Sequence, residues 1–305
     1  MNVFFDVIIV SYNAGEKLVK TLQSVLAQEG VAGSGGIDFR VVIKDGNSND
    51  GSVARAREVL HTYPAHLQSR VQILTGLDAG IYDAMNLALD AVLGAAGHAK
   101  KQEHENARHL IYFINCGDTL ASRDVLRRIA DAVRAFEEKN ADRNHLPCIF
   151  YGDVIEEKTK ERVSSNPVMD DFACYRHVPC HQACFYDAAL FYNERFDTTL
   201  AVRADYDHFL KSYFTYHAIC KYASLAVANY EGGGFSETAE NKKRSAAEHR
   251  IVLRRYMSDE TIAKFDRRMK LTLQPLRTYL AENETTAKWY NLARRALYRA
   301  RKGNG

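Results

Sequence analysis

The sequence predicts an α/β protein built on a mainly parallel sheet with helices on both faces. Two observations carry this expectation. Over residues 1–130, short apolar runs rich in β-branched and aromatic residues alternate with segments whose apolar positions recur every three or four residues. The apolar runs also stop on polar residues. Val7–Val10 gives way to Ser11-Tyr12-Asn13, Val41–Ile43 to Lys44-Asp45-Gly46, and Val71–Leu74 ends shortly before Asp78. The run from Ile111 gives way to Asn115-Cys116-Gly117-Asp118, and Ile149–Tyr151 to Gly152-Asp153. Open α/β sheets bind ligands at the carboxyl ends of their strands, so a rim carrying several carboxylates is expected there.

Taken in order, the first strand precedes a helix over residues 16–28, where Leu18, Leu22, Val25 and Leu26 share one face. The glycine-rich stretch 30–36 leads to the second strand. Residues 47–51 form a turn whose Ser or Asp caps a helix running to Leu60. The third strand precedes Gly76, Asp78 and Gly80, and then a helix with Ile81, Met85, Ala88, Leu89 and Val92 at spacings of three and four. Residues 94–108 read as a polar surface excursion, the fourth strand as ending at Asp118, and residues 123–139 as a helix. Past Pro147 the pattern becomes less regular and partly antiparallel, with a helix opening at Ala204 and a tight loop over residues 231–236. From Glu237 onward the chain reads as helical and charged, so the expected domains are 1–236 and a helical extension, 237–305.

With 305 residues, 46% hydrophobic and 26% charged, the composition is that of an ordinary globular protein with an ample core. No apolar run reaches the roughly 18 residues of a membrane span. A core strand starts almost at once, leaving no room for a secretory signal, and a cytoplasmic protein is expected. The six cysteines form no CxxC pair and read as reduced core residues.

Seven blocks then carry a resemblance: residues 7–13, 44–52, 78–86, 113–118, His181-Gln182, residues 204–207 and residues 232–236. In this order and spacing the chain resembles the family 2 glycosyltransferases, and most nearly the branch that builds bacterial surface polysaccharides. The resemblance spans about residues 4 to 236. It implies a GT-A fold with a Rossmann-like sheet, and inverting transfer from a nucleotide-diphosphate sugar to a saccharide or lipid-linked acceptor. Such chemistry needs a nucleoside site, positive charge against the departing diphosphate, and a carboxylate to take the acceptor proton.

Asp45 is placed for the nucleobase or ribose, with capping of the next turn as the other reading, and Asp78 faces the same crevice or caps a helix. Ser11 and Tyr12 line the pocket floor or simply pack. Asn86 reaches the diphosphate or is an inward polar helix residue, and Asn115 bonds a ribose hydroxyl. Asp118 is the metal contact, for Mg²⁺ or Mn²⁺, with capping of the following helix as the other reading. Here the chain departs from the family's Asp-x-Asp-Asp, having Asn115-Cys116-Gly117-Asp118, and a metal-independent mechanism stays open. Asp205 aligns with the family's catalytic base, with Ala204 standing where the family has Glu, and helix capping is its other reading. His181 and Gln182 contact the acceptor or diphosphate, or belong to the core, and glycines 232–234 suit a loop closing over donor.

Residues 286–302 give a separate signal. Trp289, Leu292, Ala293, Ala296, Leu297 and Ala300 share one face, and Lys and Arg fill the rest without an acid. That pattern suits an anionic membrane surface, or a helix packed on the domain with a solvated basic face. The absent Asp-x-Asp carboxylates keep a second function open, a catalytically impaired nucleotide-sugar-binding subunit of an assembly complex. A dinucleotide oxidoreductase is excluded because no GxGxxG follows the first strand. A nucleotidyltransferase lacks its basic glycine-rich loop, and nucleic-acid binding lacks aromatic platforms beside the basic run.

Overall fold

The computed structural model describes residues 1–29, 37–95, 107–140, 146–232 and 238–271, with Leu280, Asn283, Thr285, Thr286 and Trp289 beyond them. Its elements in chain order are β1 (Asn2–Ser11), α1 (Glu16–Leu26), β2 (Ile37–Asp45), α2 (Ser52–His61), α3 (Ala65–Gln68) and β3 (Val71–Thr75). Then come α4 (Ile81–Leu93), β4 (Ala107–Asn115), β5 (Thr119–Leu120), α5 (Val125–Lys139), β6 (Cys148–Glu156) and β7 (Arg162–Val163). The remainder are α6 (Asp171–Arg176), β8 (Cys184–Asp187), α7 (Ala204–Phe214), β9 (Ile219–Tyr230), α8 (Ala239–Tyr256) and α9 (Asp259–Leu271).

The described strands form one sheet in the order β3-β2-β1-β4-β8-β6-β9-β5, with β7 beside β6. β3, β2, β1 and β4 pair in parallel, as the alternating pattern predicts. β8 runs antiparallel to both β4 and β6, while β6 and β9 are parallel. Helices cover both faces, which explains why the inner strands read as continuous apolar runs rather than alternating ones. Val3, Phe5, Val7 and Ile9 join one core with Leu18, Leu22 and Val25 of α1, and with Ile129 and Val133 of α5. On the other face Phe113 packs its ring edge against Phe191 and Phe196. Tyr82 of α4 lies against Phe196 as well.

Two expectations need correction. The fourth strand ends at Asn115 rather than Asp118. Gly117, at φ 104°, turns the chain, and Thr119–Leu120 then pairs with β9. Asp153 does not lie on the rim either. It sits inside β6, buried, where Arg162, Tyr222 and the Ser165 amide all donate to it. The expected basic arm, 286–302, lies outside the described residues apart from Thr286 and Trp289, as do residues 30–36, 96–106 and 233–237.

The chain forms two compact units, Met1–Val252 and Leu253–Gly305. In the first, Thr238 caps α8 by accepting from the Asn241 amide at 3.2 Å. In the second, Ile262 and Phe265 of α9 are buried.

A buried ion cluster ties the parallel strands together. Asp6 of β1 accepts from Arg40 Nε at 2.7 Å and Nη2 at 3.0 Å on β2, and lies 2.7 Å from His109 Nε2 on β4. Burial alone would raise the Asp6 carboxyl, but His109 and Arg40 outweigh it and hold it below the usual range. Its contribution is therefore present above the ordinary carboxylate pKa and is lost as pH falls through the depressed one. Asp6→Asn should cost about 3 kcal/mol, the lower part of the range of about 3–5 kcal/mol for a broken buried pair. The lower part applies because the Arg40 side chain stays 26% exposed. A urea melt checks this, and a loss below about 0.5 kcal/mol would place Asp6 among ordinary surface substitutions.

Candidate active site

Strand register sets the site. Ser11 pairs with Asp45, Val10 with Asn115, and Asp45 with Thr75. The carboxyl ends of four adjacent parallel strands therefore stop in one row, with Asp45, Ser11 and Asn115 as neighbours across it.

At the β2 end, Asp45 is fully buried. Its Oδ2 accepts the Ser48 amide at 2.8 Å and its Oδ1 the Ser48 hydroxyl at 2.6 Å, a local turn that shapes the loop into α2. That loop interlocks with the one after β1. Ser48 Oγ accepts the Asn13 amide at 2.8 Å, Asn13 Oδ1 accepts the Asn49 amide at 3.1 Å, and Asp50 accepts the Gly15 amide at 2.8 Å. Lys44, itself buried, donates to Asp78 Oδ2 at 2.8 Å and to the carbonyls of Asp45 and Gly76 at 2.9 and 2.7 Å. Three acceptors satisfy the three ammonium donors, so Lys44 binds β2 to the 76–78 loop. A Cβ on Gly46 would lie 3.0 Å from Asp78 Oδ2 and 3.1 Å from the Tyr12 ring, so these groups converge on a point only glycine leaves free. Ser11 is buried beneath them, whereas Tyr12 is 69% exposed and stands on the rim rather than the floor.

At the β4 end, Asp118 is buried. Its Oδ1 accepts the Glu231 amide at 2.9 Å and its Oδ2 the Gln182 side chain at 3.2 Å. Burial pushes its carboxyl up, only partly countered by the Glu231 amide and His181, and the nearby Glu231 charge pushes the same way. Glu231 pairs with Lys17 at 2.8 Å. A side chain at Gly117 would have to push the Glu231 carboxylate aside, and the φ of 104° is what calls for glycine there. Between the two ends lies Cys116, its thiol pushed up to about 12 chiefly by burial, with Asp45 and Asp118 adding to the rise. Both carboxylates thus act on one side chain, and the row is continuous.

Asp205 opens α7. Its Oδ1 accepts the Tyr206 amide at 2.8 Å and lies 3.0 Å from the Tyr82 hydroxyl, while its Oδ2 lies 3.4 Å from His181 Nδ1. His181 Nε2 is 3.1 Å from Asn115 Nδ2. With Nε2 accepting from Asn115, the ring carries its proton on Nδ1 and donates it to Asp205, an assignment made from the network. Burial raises the Asp205 carboxyl, but the hydrogen bonds from His181, the Tyr206 amide and Tyr82 outweigh it, and the net shift is downward. The side chain remains 27% exposed, so its charged form is held in place yet open to a bound molecule.

The dipeptide His181-Gln182 thus joins the two carboxylates, His181 to Asp205 and Gln182 to Asp118. Ser11, Tyr12, Asp45, Asp78, Asn115, Asp118, His181, Gln182 and Asp205 all lie along this edge. Asn86 does not join them. Its amide donates to the Phe196 carbonyl and accepts the Phe196 amide, both at 2.9 Å, which makes it a brace between α4 and the 196 loop.

Sequence reasoning missed Lys44 and Tyr82, although both lie inside quoted blocks. A lysine beside an aspartate, and a tyrosine at the first turn of a helix opening on the crevice, were the available signals. It also missed Glu231, adjacent to the glycine run, and Glu248 of α8, for which a charged helix gives no signal.

The family model "Glycosyl transferase family 2" matches residues 6–96. Two relatives, each a "PGL/p-HBAD biosynthesis glycosyltransferase", come from Mycobacterium bovis and Mycobacterium tuberculosis. Each is 29% identical over 245 residues, covering 78% of this chain and 81% of the relative. Among solved structures, S. aureus TarS 1-349 in complex with UDP-GlcNAc has a TM-score of 0.58 at 14% identity, over 94% of this chain and 75% of that one. The longer TarS chain is covered over 44% of its length. Mannosyltransferase PcManGT from Pyrobaculum calidifontis, in complex with GDP-Man and Mn2+, has a TM-score of 0.53 at 14% identity, over 96% of this chain and 86% of that one. The fold is that of the GT-A enzymes, and the matching family model and relatives support a nucleotide-sugar-dependent glycosyltransferase.

Proposed function

We propose that the chain is an inverting glycosyltransferase, moving a sugar from a nucleoside-diphosphate sugar to a saccharide or lipid-linked acceptor in the synthesis of a cell-surface glycoconjugate. Residues 1–236 are its catalytic domain and 237–305 its helical extension. The observation carrying this is the bridge through His181-Gln182 that joins Asp118 to Asp205 beside the row of strand ends. The relatives named for PGL/p-HBAD biosynthesis and the neighbours holding UDP-GlcNAc or GDP-Man support the substrate class.

In this reading the nucleoside lies between Tyr12 and the Asp45–Asp78 end, Asn115 bonds a ribose hydroxyl, and His181 and Gln182 face the diphosphate or acceptor. Among the described residues no three His, Cys, Asp or Glu side chains are arranged to hold a metal alone. Asp118 nevertheless fits a shared site. Each oxygen keeps a lone pair beyond its one donor, and burial makes its carboxylate a group that a cation stabilises. Asp118 would hold Mg²⁺ or Mn²⁺ together with diphosphate oxygens, where the ion supplies positive charge against the leaving group. Asp205 takes the acceptor hydroxyl proton on Oδ2 as the acceptor oxygen bonds to the anomeric carbon and the bond to the diphosphate breaks on the opposite side. His181 and Tyr82 orient the carboxylate and keep it ionised. The shorter acidic set at 115–118 favours a second reading, a donor-binding subunit without turnover.

Asp205→Asn should leave UDP or GDP binding intact and lower turnover by about 10²-fold or more. His181→Ala should move the acid limb of turnover to higher pH, because the main group lowering the Asp205 carboxyl is gone. Release of nucleotide from UDP-GlcNAc and GDP-mannose measures both. Equal turnover in Asp205→Asn and wild type would remove Asp205 as the base, and no turnover in any acceptor mixture would favour the donor-binding subunit.

The metal assignment has a readout apart from activity. UDP or GDP should raise the melting temperature more with Mn²⁺ than without, and Asp118→Asn should abolish that increment while keeping the metal-free one. An unchanged increment in the variant would exclude Asp118 as a ligand.

No helix among the described residues is long and apolar enough to cross a membrane. We place the protein at the inner face of the cytoplasmic membrane through the basic segment 286–302, whose Trp289 is 74% exposed. Vesicles containing phosphatidylglycerol should sediment the full chain and release it at high salt. Equal sedimentation of Trp289→Ala combined with Arg294→Ala, Arg295→Ala and Arg299→Ala would count against this docking.

A further inference from the structure

Glu248 lies on α8, in the stretch that composition assigns to an extension, yet its carboxylate is turned into the catalytic half. It is buried, and three consecutive backbone amides converge on it. Ala201 donates to Oε1, and Val202 and Arg203 donate to Oε2, each at 2.9 Å. Charge-assisted hydrogen bonds of this kind are about twice as strong as neutral ones. They hold the residues that lead directly into Asp205.

The same short segment is held from its other side. The Tyr82 hydroxyl lies 2.8 Å from the Val202 carbonyl and 3.0 Å from Asp205 Oδ1. The Val202 residue is thus gripped at its amide by Glu248 and at its carbonyl by Tyr82. Further contacts from α8 reinforce the grip. Ser245 accepts from Arg203 Nε at 2.8 Å, and the His249 ring stacks on Tyr206 at 5.0 Å between centroids. The residue before α7, Arg203, makes no side-chain capping bond to the helix start. The carboxylate that settles the amides before it comes from another helix.

We propose that Glu248 is a positioning residue for Asp205. It fixes the 201–203 backbone so that the Asp205 carboxylate meets His181 Nδ1 on one oxygen and Tyr82 on the other. This makes α8 part of the active-site framework, and it rests on the reading of Asp205 as the base.

The test uses the full chain with Glu248→Gln, Asp205→Asn and the double variant. Turnover is read as nucleotide release from UDP-GlcNAc and GDP-mannose, donor-site integrity as the thermal shift with UDP and GDP, and the His181–Asp205 contact from the ¹⁵N resonances of the His181 ring. Glu248→Gln should melt cooperatively, keep the nucleotide shift, lower kcat by about 10- to 100-fold and leave KM for donor within about twofold. The His181 resonances should move as the Nδ1–H···Oδ2 bond weakens. Added to Asp205→Asn, it should cost less than about twofold more, because both act through one carboxylate.

A folded Glu248→Gln with wild-type kcat and unmoved His181 resonances would overturn the proposal. So would a loss that multiplies fully onto Asp205→Asn. If Asp205→Asn alone keeps wild-type turnover, the base reading fails, and the His181 resonances in Glu248→Gln still decide whether the clamp exists. Should Glu248→Gln not fold, Tyr82→Phe removes the opposing grip without uncovering a buried charge, and unmoved resonances and turnover in that variant overturn the proposal equally.

Discussion

Everything at the site depends on the register of four parallel strands. Their backbone groups are buried on both faces and must pair with one another, so the strands cannot slide independently. Because Ser11 pairs with Asp45 and Val10 with Asn115, residues from three separate stretches of sequence stop at one level. A slip of one residue would turn each side chain to the opposite face and exchange core for rim. The Asp6–Arg40–His109 cluster opposes such a slip, since it meets only when β1, β2 and β4 are correctly aligned.

On that frame, acids of identical chemistry become distinct groups through their partners. Asp45 has both oxygens occupied by Ser48 and shapes a loop. Asp78 is matched to the Lys44 ammonium. Asp118 lies in a drier place, close to the like charge of Glu231, and its carboxyl is pushed up. Asp205 is surrounded by donors and is held ionised despite its burial. The edge therefore offers one carboxylate suited to sharing a cation and another suited to receiving a proton, separated by the two residues His181 and Gln182.

Much of this was legible in the sequence, and the reasons are local. Strand runs such as Val7–Val10 and Val41–Ile43 show because burial on both faces demands continuous apolar residues. Helix α4 shows because Met85, Ala88, Leu89 and Val92 repeat at helical spacing. Where partners come from distant sequence, legibility stops. Asp153 read as a rim acid because nothing in its neighbourhood announces Tyr222 across the strand pair. Asn86 read as a ligand group because the Phe196 backbone it serves lies 110 residues away. Glu248 is one acid in a charged helix until the fold brings residues 201–203 against it. The strand end at Asn115 was missed for a subtler reason: the turn depends on Gly117 and on the docking of Thr119–Leu120 against β9.

The cross-linked loops after β1 and β2 have a consequence of their own. Asn13, Ser48, Asn49, Gly15 and Asp50 hold one another through backbone and side-chain bonds with no outside molecule involved. On the proposed reading, the two loops are therefore already stiff before a nucleoside arrives. An incoming ring does not have to freeze a wandering chain, so little of its attraction is consumed in creating order. Affinity at this end then follows from shape and hydrogen-bond match, and selectivity among bases is decided by a surface that does not remould itself.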